Sequence, residues 1–136
     1  MPEGYFKRDM PRPPCADTLG AELIDQWPDE GRIEFAFHPN ATMLNPRGTV
    51  QGGFVAAMLD DLMGPALVTM TGGKEIPASI DLNVSFIRPV MPGRVVGTGR
   101  VVSKGRNVAF LEAELFDESG KLLARATSSA RILARD

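Results

Sequence analysis

The chain has 136 residues, 43% of them apolar and 24% charged, which is enough to bury one core in one ordinary globular domain. A net charge of −2 and a pI near 5.4 argue against a nucleic-acid binder, which normally shows a basic stripe, and point to a small-molecule partner. Cys15 is the single cysteine and His38 the single histidine, so internal disulfides are excluded and the residues argue against a Cys/His metal site.

The first fourteen residues, MPEGYFKRDMPRPP, carry charges and prolines but no apolar h-region, so they do not read as a secretory signal and a cytoplasmic location is expected. Pro11, Pro13 and Pro14 forbid a long helix before Cys15. Residues 1–20 are therefore expected to form a surface strap, and residues 21–136 a single domain. Apolar and polar residues alternate from Ala21 to Trp27 and from Arg32 to Phe37 around the turn Pro28-Asp29-Glu30-Gly31. This predicts a β-hairpin with Ile33, Phe35 and Phe37 on one face. His38, followed by Pro39, falls in a polar loop, which favours a solvated residue over a catalytic one.

The stretch NPRGTVQGGFVAAMLDDLMGPALVTMTGG, Asn45 to Gly73, is the centre of the chain. From Phe54 to Met70 it is apolar apart from Asp60, Asp61, Gly64 and Thr69. No amphipathic stripe is evident, so it is expected to be a helix buried all round. It is too short and too interrupted by Asp60 and Asp61 for a membrane span. Turn formers precede it and Gly72-Gly73 stop it, while Pro65 is expected to bend or loosen its last turn and a half. Two adjacent carboxylates on a buried helix need a reason.

Four strands are then expected at Ser79–Arg88, Arg94–Lys104, Asn107–Phe116 and Leu122–Leu133. Lys104-Gly105-Arg106-Asn107 and Asp117-Glu118-Ser119-Gly120 suit tight hairpins, and Pro89 to Gly93 a wider corner. The predicted layout is α+β: two strands, one buried helix, then four strands in a meander, with the curved sheet wrapping the helix.

That layout, and the spacing of Asn45, Gly48, Gly52, Gly53 and Asp60 with Ser79 opening the next strand, resembles the hotdog-fold acyl-CoA thioesterases of the phenylacetate-pathway (PaaI-like) type. The family pattern is an Asn, a Gly, then His-Gly-Gly, then a carboxylate nine residues after the His. Gln51 stands where the family usually has His. The later stretch from Gly93 to Ser129 also looks like the family's long strands and hairpins.

The resemblance implies hydrolysis of an acyl-CoA thioester. Gly52 would be the oxyanion donor, Asn45 would position the carbonyl or the water, Asp60 would be nucleophile or general base, and Ser79 would orient the water or that carboxylate. Gln51 and Gly53 would adjoin the substrate. Arg88, Lys104 and Arg106, near strand ends or hairpins, could meet the phosphates of coenzyme A or form a solvated face. No metal and no cofactor beyond the substrate's own coenzyme A is implied, and neither nucleic acid nor membrane is an expected partner. Gly52 and Asp60 are eight residues apart, about 12 Å along one helix, whereas a carbonyl and its attacking group must lie within about 3.5 Å. Two antiparallel helices meeting across a two-fold axis would join Gly52 of one subunit to Asp60 of the other. A homodimer or homotetramer is therefore expected, in agreement with the family. Asp60 and Asp61 point about 100° apart, and the family spacing selects Asp60. Two alternatives stand beside hydrolysis: a hotdog protein that binds acyl thioesters without cleaving them, and a hotdog hydratase, for which His38 is in the wrong place.

Overall fold

The computed structural model describes residues 4–135. Its elements in chain order are α1 (Pro14–Leu19), β1 (Glu22–Trp27), β2 (Arg32–Phe37), α2 (Gly52–Met70), β3 (Glu75–Ser79), β4 (Asn83–Phe86), β5 (Val95–Lys104), β6 (Val108–Phe116) and β7 (Leu122–Ala134). The strands form one antiparallel sheet in the order β1-β2-β5-β6-β7-β3, with β4 also on β7. This is the hotdog arrangement, a curled sheet around one long helix. Ile33, Phe35 and Phe37 face the core.

The four-strand meander needs correction. Only β5, β6 and β7 form one, because β5 inserts beside β2 and the segment before it runs along the far side of β7. That segment is two strands rather than the single Ser79–Arg88. Asp81 breaks it, since its carboxylate Oδ1 accepts the Ser129 N–H at 2.8 Å where a backbone carbonyl would continue the ladder. Pro77, which has no N–H, is tolerated in β3 because that strand lies at the edge.

Helix α2, about 28 Å long, packs on the concave face through Val55, Met58, Leu59, Leu62, Met63, Ala66 and Leu67, all buried. Gly97 and Gly99 of β5 let it come close, because a Cβ on either would overlap Leu62. Two expectations for this helix change. It continues without interruption through Pro65, held by the packing of Leu62, Met63, Ala66 and Leu67 on either side of the proline. It is also not buried all round. The buried positions follow helical spacing, and the opposite face, Gly53, Ala56, Ala57, Asp60, Gly64 and Val68, is exposed or half-buried. The helix ends as Gly72-Gly73 suggested. Gly72 has φ 63°, and the Gly73 N–H donates to the Val68 carbonyl at 2.9 Å, a Schellman cap.

The N-terminal residues pack inward at defined points. Ala16 and Leu19 of α1 are buried, and Phe6 lies against the core.

Candidate active site

The loop before α2 is built by short-range bonds. Asn45 Oδ1 accepts the N–H groups of Arg47 (3.0 Å) and Thr49 (3.2 Å), and its Nδ2 donates to Thr49 Oγ1 at 2.9 Å. Asn45 thus closes the 45–49 turn and keeps one amide hydrogen for another acceptor. Gln51 is the N-cap of α2, its Oε1 accepting the Gly53 N–H at 3.0 Å. No described residue accepts from the Gly52 N–H, which lies at the positive end of the helix dipole. The Phe86 ring lies over that glycine; a Cβ there would stand 3.2 Å from Phe86 Cζ. A cavity of about 540 Å³ opens here, with Asn45, Gly52, Phe86 and Arg88 in its walls.

Asp60 lies elsewhere. It is exposed on the open face of α2 in a hollow of about 350 Å³ with Ala57, Gly64, Pro77 and Ser79. The Ser79 hydroxyl donates to Asp60 Oδ1 at 3.4 Å. Ser79 was expected to open the next strand and to orient the water or this carboxylate; it is instead the last residue of β3, and from there its hydroxyl meets Asp60. The two halves of the expected site are therefore separate in one chain: Asn45 and Gly52 line one cavity, Asp60 and Ser79 another.

Asp61 differs sharply from its neighbour. Among the described residues its Oδ2 is buried with no hydrogen-bond partner, and its carboxyl is pushed up from 3.8 to about 7, first by burial and second by the charge of Asp60. The sequence marked the pair as anomalous, but nothing in it told which carboxylate would be covered. Phe86 was likewise not singled out; the signal available was its place two residues before Arg88 in a strand expected near the site.

The three cations do not gather in one chain. Arg88 donates from Nη1 to the Leu122 carbonyl at 2.7 Å, beside Gly52. Arg106 lies at the hairpin next to the other end of β7, where the Asn107 carbonyl accepts from Ile132, about 30 Å along that strand. Lys104 is 3.0 Å from Glu75. His38 is exposed, with Nε2 3.5 Å from Glu22, and lines neither cavity.

A sequence profile of the thioesterase superfamily matches residues 47–124. The proofreading thioesterase EntH of Klebsiella pneumoniae is 30% identical over 93 residues, 68% of each chain. A phenylacetic acid degradation-related protein of Ralstonia eutropha superposes with TM-score 0.85 at 34% identity, covering 90% of this chain and 92% of that one. The PaaI protein of Escherichia coli shares the fold, with TM-score 0.77 at 23% identity over 86% of each chain.

Proposed function

The chain belongs to the thioesterase superfamily, and on that premise we propose that it hydrolyses an acyl-CoA thioester to the free acid and coenzyme A. The observation that carries this reading is the pairing of Asp60 with Ser79 on the open face of α2, on the same helix whose first turn holds the Gly52 N–H, for which no described residue is an acceptor. Gly52 donates to the thioester oxygen as negative charge develops there. Asp60 takes a proton from the water that attacks the thioester carbon, or attacks that carbon itself to form an anhydride that water then hydrolyses, and the Ser79 hydroxyl holds its orientation. The thiolate leaves and is protonated. Gly53 and Gln51 shape the helix start, Asn45 offers its remaining amide hydrogen to substrate or water, and no metal or redox group enters the chemistry.

Two copies of the chain are required. The exposed Ile80, Leu82, Phe86 and Ile87 form an apolar strip along the edge segment, of the kind that marks an interface. The small residues around Asp60 leave room for a second helix. An antiparallel pair would bring Gly52 of one subunit to Asp60 of the other, and with it Arg88 towards the Lys104–Arg106 end of its partner, within reach of coenzyme A phosphates. A dimer or a tetramer, in the cytoplasm, satisfies this.

The second reading, a protein that binds acyl thioesters without cleaving them, is favoured by one observation: Gln51 occupies the Gly53 N–H where the family usually places a histidine. Release of free thiol from a panel of acyl-CoAs, with Asp60→Asn alongside, tests both. Turnover lost in the variant supports hydrolysis; tight binding with no turnover in the natural protein supports the second reading.

A further inference from the structure

The hollow that holds Asp60 has two flanks of different origin. On one, Ser79 of β3 reaches Asp60, and Pro77 faces Gly64, where a Cβ would stand 3.6 Å from Pro77 Cγ. On the other, about 100° round α2, Asp61 and Pro65 stand beside α1, whose Cys15 and Leu19 complete the wall. Ala57, Gly64 and Val68 of α2 are the floor. The hollow is thus a trough along the helix, of about 350 Å³, at the small end of ligand cavities.

The α1 flank is fixed. Ala16 and Leu19 are buried, and the Leu19 carbonyl accepts the His38 N–H at 3.0 Å. Cys15, on the same short helix, stays exposed.

Charge separates this trough from the cavity at the helix start. Among the described residues the trough is lined by Asp60 and Asp61 but by no Lys or Arg. Arg47 and Arg88 stand with Gly52 in the other cavity, which no described carboxylate lines. In the antiparallel pair proposed above, residue 52 of one copy meets residue 60 of the other, which centres the pair on Ala56. The second helix then begins opposite Asp60, and residues 64–68 have no helix over them. A thioester held between the Gly52 N–H and Asp60 therefore has two arms, one running into the trough and one into the Arg47 and Arg88 cavity of the second copy. The phosphates of coenzyme A favour the cationic arm. Methylenes leave water against Leu19, Val68 and Pro77 in the other, where a carboxylate would meet the charge of Asp60.

We propose that the trough takes the acyl chain, a neutral apolar group of short to medium length, and that Cys15 on α1 is a specificity-determining residue that bounds it. The proposal deepens the hydrolase reading and rests on it.

Thiol labelling reads the trough without turnover, because Cys15 is the only cysteine. The full-length natural protein is treated with N-ethylmaleimide alone, with coenzyme A, or with the ketone analogue of hexanoyl-CoA in which a methylene replaces the thioester sulfur. Calorimetry verifies binding of the analogue. Saturating analogue should slow labelling at least about tenfold, and coenzyme A alone by less than about twofold. Undiminished labelling with the analogue bound, or equal protection by coenzyme A, overturns the proposal and leaves the hydrolase reading standing. Failure of the analogue to bind overturns both.

Kinetics add the selectivity. kcat/KM for hexanoyl-CoA should exceed that for adipoyl-CoA, the same chain ended by a carboxylate, by at least about tenfold. Cys15→Trp should lower the ratio of hexanoyl-CoA to acetyl-CoA turnover by about tenfold, whereas a merely structural change would lower both alike. Equal rates for hexanoyl-CoA and adipoyl-CoA, or an unmoved ratio in folded Cys15→Trp, overturns the proposal. Protection of Cys15 by the analogue with no turnover of any thioester sinks the hydrolase reading instead and leaves the trough as the seat of a bound acyl chain.

Discussion

The first turn of α2 and its third turn offer opposite kinds of chemistry, and they come about differently. At Gln51–Gly53 the capping bonds are local: the cap comes from two residues back, and Asn45 closes its own turn through Arg47 and Thr49. At Asp60 and Asp61 the surroundings come from distant chain. Ser79 of β3 reaches Asp60, while α1 and the N-terminal segment share a cavity with Asp61. Two neighbours about 100° apart on a helix thus become an exposed, hydrogen-bonded carboxylate and a covered one with no partner for its Oδ2 among the described residues. A donor can be assembled from a few consecutive residues, whereas the fate of an acceptor depends on what packs over it.

The largest expected effect breaks that comparison at Asp60. Asp60→Asn should lower kcat by about 10²–10⁴-fold, with Asp61→Asn staying within about tenfold. Steady-state kinetics on both variants decides this; a larger loss at Asp61 would reverse the assignment.

Whether the two turns serve one site across a two-fold axis can be read from mixed subunits. Gly52→Val and Asp60→Asn proteins should each be inactive, and verified heterodimers should recover about half of the natural activity, because one of two equivalent sites is intact. Absence of recovery would refute the antiparallel-helix assembly.

Stability sharpens the contrast next. With its carboxyl raised from 3.8 to about 7, folded Asp61 keeps a proton that the unfolded chain has released between those values. Stability should therefore fall as pH rises through that window and level off above it. In Asp61→Asn this slope should vanish, leaving the variant more stable than the natural protein by a few kcal/mol at about pH 8. Urea unfolding at about pH 4.5 and about pH 8 measures it; a natural protein with no such slope would mean that Asp61 is not desolvated.

The smallest effects belong to the first turn. Gln51→Ala removes the cap and should cost about 1 kcal/mol, seen as a modest drop in Tm. Gln51→His should change kcat/KM by no more than about tenfold. A gain of several hundredfold would favour the binding-protein reading.

Much of the fold was readable in residues that act on their neighbours. The hairpin face of Ile33, Phe35 and Phe37 followed from alternation and the end of α2 from Gly72 and Gly73, while the family pattern named Ser79 as the first residue of a strand that in fact it ends. The edge segment was not readable, because it was Asp81 taking the Ser129 amide 48 residues away that split it. The open face of α2 was missed because small apolar residues there look the same in sequence whether the covering comes from their own chain or from another.

By itself the sequence determined the first hairpin, the long helix and the three long strands that end the chain, in their order, and the helix stop made by Gly72 and Gly73. Only the tertiary structure decided that β5 lies between β2 and β6, that Gly97 and Gly99 meet Leu62, and that Asp61 rather than Asp60 is covered. The physical reason is that dihedral preferences and caps act over a few residues, whereas burial and the desolvation of a charge depend on which distant segments share its space.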